Sequence, residues 1–144
     1  MNYEELAKQF LNNSYRYRNC GHQKKFDDNL HGEAFTMLYI YKEGGNVLPS
    51  DISNEMNISS ARVAFMLNNL ENKGLISRKI DSNDRRKILV TLTTEGLAYA
   101  QIHNDNVTNH TIKMLTLLGE HDAKELVRII GKLVDICPKI INKE

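Results

Sequence analysis

The sequence predicts a mainly α-helical fold with one small β-hairpin: a winged helix-turn-helix set between N-terminal and C-terminal helical parts. Three observations predict it. Two capped helical segments meet across a tight turn at Asn57-Ile58. Two alternating segments follow at once around the polar tip Asp81-Ser82-Asn83-Asp84. Helical spacing of apolar residues fills both ends of the chain.

The elements follow in order. Tyr3, Leu6, Phe10 and Tyr17 share a helical face, which predicts an amphipathic helix ending near Cys20 and Gly21. A polar, basic connection runs from Gly21 to Asn29. The second helix, about His31 to Lys42, places Phe35, Leu38 and Tyr39 on one face and stops at Gly44-Gly45. Val47 and Leu48 form at most a very short strand before Pro49. Ser50 is the expected cap of a short helix that turns Ile52 and Met56 inward. Ser59 caps the next helix, where Val63, Met66, Leu67 and Leu70 make the inward stripe and Lys73-Gly74 the stop. Leu75 to Ile80 and Ile88 to Leu92 alternate as the strands of the hairpin. A long helix is expected from Thr93 to about Leu118, broken by Gly119. Its middle, His103 to Thr111, is polar enough to face solvent or line a cavity. The last helix, about Glu120 to Ile136, carries Leu126, Ile129, Ile130 and Leu133 on one stripe and ends at Pro138.

Composition bounds the function. The 144 residues suit one domain with a working core, and 41% hydrophobic with 26% charged residues is ordinary for a globular chain. The N-terminal residues lack a basic n-region and an apolar h-region, no apolar run has membrane-spanning length, and Cys20 and Cys137 form no CxxC pair. A cytoplasmic protein without a membrane segment is the expectation. The formal net charge of +1 decides nothing about nucleic acid; its distribution does. Between Lys73 and Lys87 stand six basic residues (Lys73, Arg78, Lys79, Arg85, Arg86, Lys87) against two acidic ones, Asp81 and Asp84. The apolar stripes of the first and last helices have little left in the chain to cover them. Pairing with a second copy, as a two-fold dimer built from both chain ends, is the economical solution.

From Leu48 to Gly96 the sequence resembles the MarR family of regulators. The carrying residues are Leu48-Pro49-Ser50-Asp51-Ile52-Ser53, Ser59-Ser60-Ala61-Arg62-Val63 and Leu70-Glu71-Asn72-Lys73-Gly74-Leu75-Ile76. Asp84-Arg85-Arg86 and then Val90-Thr91-Leu92-Thr93 to Glu95-Gly96 complete the likeness, as the family's wing motif and its Leu-Thr-x-x-Gly. The resemblance implies a single MarR-type domain over 1–144, with a DNA-binding core at 31–96 and dimerisation helices at 1–30 and 97–144. It implies a homodimer on pseudo-palindromic duplex DNA, often a repressor, tuned in some members by a small-molecule effector, an oxidant or a metal.

On the reading helix, the face opposite the inward stripe presents Ala61, Phe65, Asn68 and Asn69, with Arg62 on its flank. Arg62 suits guanine O6 and N7; Asn68 or Asn69 suits an adenine edge. Ser60, near the helix N-terminus, suits a phosphate. Phe65 either touches a thymine methyl or covers a neighbouring side chain. By resemblance, Arg86 is the wing arginine that enters the minor groove, and Asp84 supports the wing through an ion pair. Arg85 and Lys87 then meet phosphates.

Other chemistry is weaker. Cys20, beside Tyr15 and Tyr17 and flanked by Arg16 and Arg18, invites a redox reading, but a buried, inert thiol is the commoner state. Cys20, His103 and His110, with His22, His31 and Glu33, invite a metal reading; no HxxxH or HExxH pair supports it, and solvated histidines are preferred. Neither a cofactor nor an enzymatic constellation is expected, and Glu33, Glu43 and Glu55 read as helix-surface charges. A winged helix used only to bind protein is the remaining alternative; Arg62, Arg85 and Arg86 argue against it.

Overall fold

The computed structural model describes residues 1–21 and 32–141. The connection expected at Gly21–Asn29 therefore lies, after Gly21, outside the described residues, as do His22 and His31. Among the described residues the order is α1 (Tyr3–Arg18), α2 (Glu33–Lys42), α3 (Pro49–Met56), α4 (Ser60–Asn72), β1 (Ile76–Ile80), β2 (Ile88–Leu92), α5 (Thr94–Leu118) and α6 (Glu120–Ile141). None of these helices is long and apolar enough to cross a membrane. The chain divides into two compact units, Met1–Asp105 and Asn106–Glu144.

The core of the first unit is built by α2, α3, α4 and the hairpin. Met37 and Ile40 of α2, Ile52 of α3, Val63, Leu67 and Leu70 of α4, Ile76 and Val90 of the strands, and Ala100 of α5 form one buried cluster. The α4 stripe is thus the predicted one. In α2 the inward residues are Thr36, Met37, Leu38 and Ile40, whereas Phe35 and Tyr39 stay half-buried. A helix apolar nearly all round gives periodicity little to choose between faces. The Thr36 hydroxyl, fully buried, donates to Gly32 O at 3.1 Å and so avoids an unpaired polar group in the core.

Local chemistry moves several boundaries. The cap of α3 is Leu48, not Ser50: Pro49 takes the first helical position, where its missing N–H costs nothing, and the Asp51 carboxylate accepts from Leu48 N at 3.1 Å. Asn57 closes α3 in the left-handed conformation, and Ser59 Oγ caps α4 by accepting from Arg62 N at 3.2 Å. Strands β1 and β2 pair antiparallel from Ile76↔Leu92 to Ile80↔Ile88, and Val47 adds a one-residue bridge to Val90. Helix α6 runs through Pro138 to Ile141 rather than ending there. Proline removes one backbone donor but keeps helical φ, and the apolar stripe continues to Ile140 and Ile141.

The tightest junction joins the end of α4 to the start of α5. Thr93, expected inside α5, instead caps it: its Oγ1 accepts from Gly96 N at 3.0 Å and donates to Gly74 O at 2.6 Å. Thr93 N also donates to Leu75 O at 3.1 Å. Gly96 is buried against that same strand entrance, and a Cβ there would lie 1.8 Å from Leu75 O. No side chain fits without moving backbone. Gly74, with φ of 74°, supplies the left-handed turn that brings the strand back.

The two end helices are less covered. No residue of α1 or of α6 is buried, although α1 exposes Phe10, Leu11 and Tyr15 and α6 exposes Ile130, Leu133 and Val134. Asn2 caps α1 by accepting from Glu4 N at 3.1 Å, so its start is well formed even without burial.

Replacing Gly96 by alanine is expected to cost about 3 kcal/mol, read as a fall in Tm of about 10 °C. Gly131→Ala, whose Cβ would meet nothing within 4 Å, should leave Tm level or slightly raised. Equal effects would show that the α4–α5 junction tolerates a side chain.

Candidate nucleic-acid interface

Buried Val63, Met66, Leu67 and Leu70 anchor α4 and turn its other face outward. Ser60, Ala61, Arg62, Phe65 and Asn68 are exposed there, and Asn69 is half-buried. Phe65 is 66% exposed. The Arg62 side chain makes no hydrogen bond or ion pair among the described residues, which leaves its five donors available.

The wing tip is organised by two aspartates. Asp81 Oδ1 accepts from Asn83 N at 2.9 Å, and Asp84 Oδ1 accepts from Arg86 N at 3.0 Å. Backbone bonds from Asp81 N to Lys87 O (2.9 Å) and from Lys87 N to Asp84 O (3.0 Å) close the turn. Asp84 Oδ1 also holds Arg86 Nε at 3.3 Å, while the Arg86 side chain remains 91% exposed. One carboxylate therefore fixes both the backbone and the stem of the arginine and leaves its terminal amino groups outward. Arg85 and Lys87 are exposed beside it, without an ion pair among the described residues.

A further contact joins wing to helix. Arg78, opposite Val90 on β1, donates from Nε to Glu71 Oε2 at 2.8 Å and from Nη2 to Asn68 Oδ1 at 2.7 Å. The hydrogen bond from Arg78 holds the Glu71 carboxyl below the ordinary glutamate range and raises the guanidinium in turn. Sequence reasoning placed Arg78 in a basic run and left it out of the site. The available signal was Glu71, which with Arg78 flanks the Lys73-Gly74 break. Lys73 is likewise paired, with Glu33 Oε2 of α2 at 2.6 Å. Arg78 and Lys73 thus serve the fold's own corner.

The structure corrects the other expectations. Cys20 is a free, exposed thiol rather than the buried one expected, and Cys137 is free and exposed as well. His103 is not simply solvated: it stacks on Tyr99 with ring centroids 5.8 Å apart, and its Nε2 is buried without a hydrogen-bond partner among the described residues. His110 is exposed. Among the described residues no three His, Cys, Asp or Glu side chains gather as a metal site needs, and Cys20, His103 and His110 are not brought together as one.

Comparison with known proteins agrees with this geometry. The profile of the MarR family matches residues 32–88. The HTH-type transcriptional regulator YwhA of Bacillus subtilis (strain 168) is 31% identical over 109 residues, 76% of this chain and 76% of that protein. The HTH-type transcriptional repressor YetL of the same organism is 26% identical over 102 residues, covering 69% of this chain and 59% of its own. Among solved structures, Streptococcus pneumoniae FabT in complex with DNA superimposes with a TM-score of 0.70 at 24% identity, over 96% of both chains.

The Glu71–Arg78 pair predicts a pH-dependent stability term. A carboxyl with a lowered folded pKa stabilises fully above its unfolded value, about 4.3, and loses that contribution as pH falls through the folded value. Urea unfolding of the protein and its Glu71→Gln variant should therefore differ at neutral pH and converge in acid. A gap that persists unchanged at low pH would show that the ionised Glu71 carboxylate is not its source.

Proposed function

The chain belongs to the MarR family and is a DNA-binding transcriptional regulator; from that premise we propose that it acts as a homodimeric repressor on pseudo-palindromic operators. The observation that carries the reading is the wing tip, where Asp84 braces Arg86 and leaves its guanidinium exposed beside Arg85 and Lys87. A narrow, A·T-rich minor groove attracts such a group. The exposed face of α4 supplies the second contact. Arg62 meets guanine in the major groove, Phe65 and Ala61 supply apolar contacts, Asn68 and Asn69 face base edges, and Ser60 donates to phosphate.

The dimer follows from what is uncovered. Burying a large apolar side chain stabilises by about 1.5–3 kcal/mol, and α1 and α6 leave many such side chains in water. A second copy presenting the same two helices covers them by a closed two-fold arrangement. The chain then works as one MarR-type unit in the cytoplasm, reading one half-site per protomer. Its membership of this family extends the proposal to a small-molecule effector that tunes affinity.

Two measurements test this reading. Arg86→Ala should weaken duplex binding and lower the slope of log K against log salt by about 1, with the sedimentation coefficient of the dimer unchanged; equal affinity would remove Arg86 from the interface. Leu133→Glu on the α6 stripe should instead convert the dimer to monomer in sedimentation. A dimer that survives it would place the subunit contact elsewhere.

A further inference from the structure

Arg78 occupies the acceptor of a side chain on the reading face. Its Nη2 lies 2.7 Å from Asn68 Oδ1 and 3.3 Å from Glu71 Oε1, while its Nε lies 2.8 Å from Glu71 Oε2. The two Glu71 oxygens grip the guanidinium in a fork, so the group that meets Asn68 is held in a fixed plane. The Arg78 side chain is only 29% exposed, whereas Asn68 is exposed. Strand β1 thus sets the orientation of a carboxamide on α4.

That orientation has a chemical consequence. An asparagine reads adenine by using both ends of its amide at once: Oδ1 accepts from N6 while Nδ2 donates to N7. Here one lone pair of Oδ1 already accepts a charge-assisted hydrogen bond from Arg78, which turns the oxygen toward strand β1, and rotation about χ2 would break the bond. The Nδ2 group makes no hydrogen bond among the described residues and is the end left for a ligand. Guanine is the base whose major-groove edge offers two adjacent acceptors, O6 and N7.

Resting on the reading of α4 as the major-groove helix, we infer that Arg78 is a positioning residue that fixes the Asn68 amide with its oxygen toward β1 and its Nδ2 toward the groove, so that Asn68 selects guanine rather than adenine. The charge of Arg78 acts through Asn68 and does not reach the phosphates. The base preference at one position of each half-site is therefore written partly in the wing strand, outside the reading helix.

Selection of bound duplexes from a random pool, run in parallel on the wild-type protein and the Asn68→Ala, Asn68→Asp and Arg78→Met variants, tests this. Asn68→Ala identifies the position that Asn68 reads, as the one whose preference flattens. The wild type should carry guanine there, and Arg78→Met should shift that position toward adenine by at least about fivefold while the others hold. Asn68→Asp, which keeps an acceptor for Arg78 but has no donor, should lose guanine; it decides the matter should Arg78→Met melt below the assay temperature. Adenine in the wild type, guanine unchanged in Arg78→Met, guanine retained in Asn68→Asp, or no position responding to Asn68→Ala would each overturn the inference while an inverted repeat is still enriched. Enrichment of no site by the wild type would overturn the DNA reading itself, and the inference with it.

Discussion

The approach of Gly96 to the Leu75 carbonyl is the constraint on which the rest of the reading unit depends. A Cβ at Gly96 would fall 1.8 Å from that oxygen, so helix α5 reaches the strand entrance only because the residue has no side chain. Thr93 secures the approach from the other side, bonding Gly74 O and Gly96 N through one hydroxyl. The last turn of α4, the first residue of the wing and the first turn of α5 are thereby joined within a few residues. Once that corner is set, the buried stripe of α4 determines which of its residues face outward, and the pairing from Ile76 to Ile80 determines where the wing tip lies.

Charge is distributed by the same logic. With a formal net charge of only +1, the chain has no global field to draw it toward a polyanion. Its cations are instead divided by task. Lys73 pairs with Glu33 and Arg78 with Glu71, both at the C-terminal end of the reading helix, where the pairs tie neighbouring elements together. Arg62, Arg85 and Lys87 stand without such partners among the described residues, and Arg86 is braced yet exposed. Apolar surface is divided as unevenly: complete burial around Ile40, Ile52, Leu67 and Val90, and none in α1 or α6. The proposed dimer would cover these uncovered helices.

Much of this was legible in the residues. The caps at Ser59 and Gly74, the stripe from Val63 to Leu70 and the polar tip between alternating strands are local signals, and local signals survive folding. What escaped depends on which groups meet in space. Arg78 is one of six cations in a run, and nothing in the run says that Glu71 and Asn68 from the preceding helix lie beneath it. The burial of His103 Nε2 depends on stacking with Tyr99 and on its surroundings, which spacing on one helix does not reveal. Pro138 misled for the opposite reason: proline usually ends a helix, but in the last turn of α6 it costs a single backbone bond. Ser50 yielded the cap to Leu48 because Pro49 takes the first helical position, and the Asp51 carboxylate accepts from Leu48 N one turn back.

On the proposed reading, two reading heads, each set by its own corner, are coupled through paired end helices and meet DNA together. The most direct measurement is the affinity for a duplex bearing the selected inverted repeat, compared with the same repeat opened by about five base pairs, half a helical turn. Coupled heads must lose most of their affinity, because one half-site then faces the far side of the duplex. Undiminished affinity for the opened repeat would contradict the account and leave a protomer that reads DNA alone.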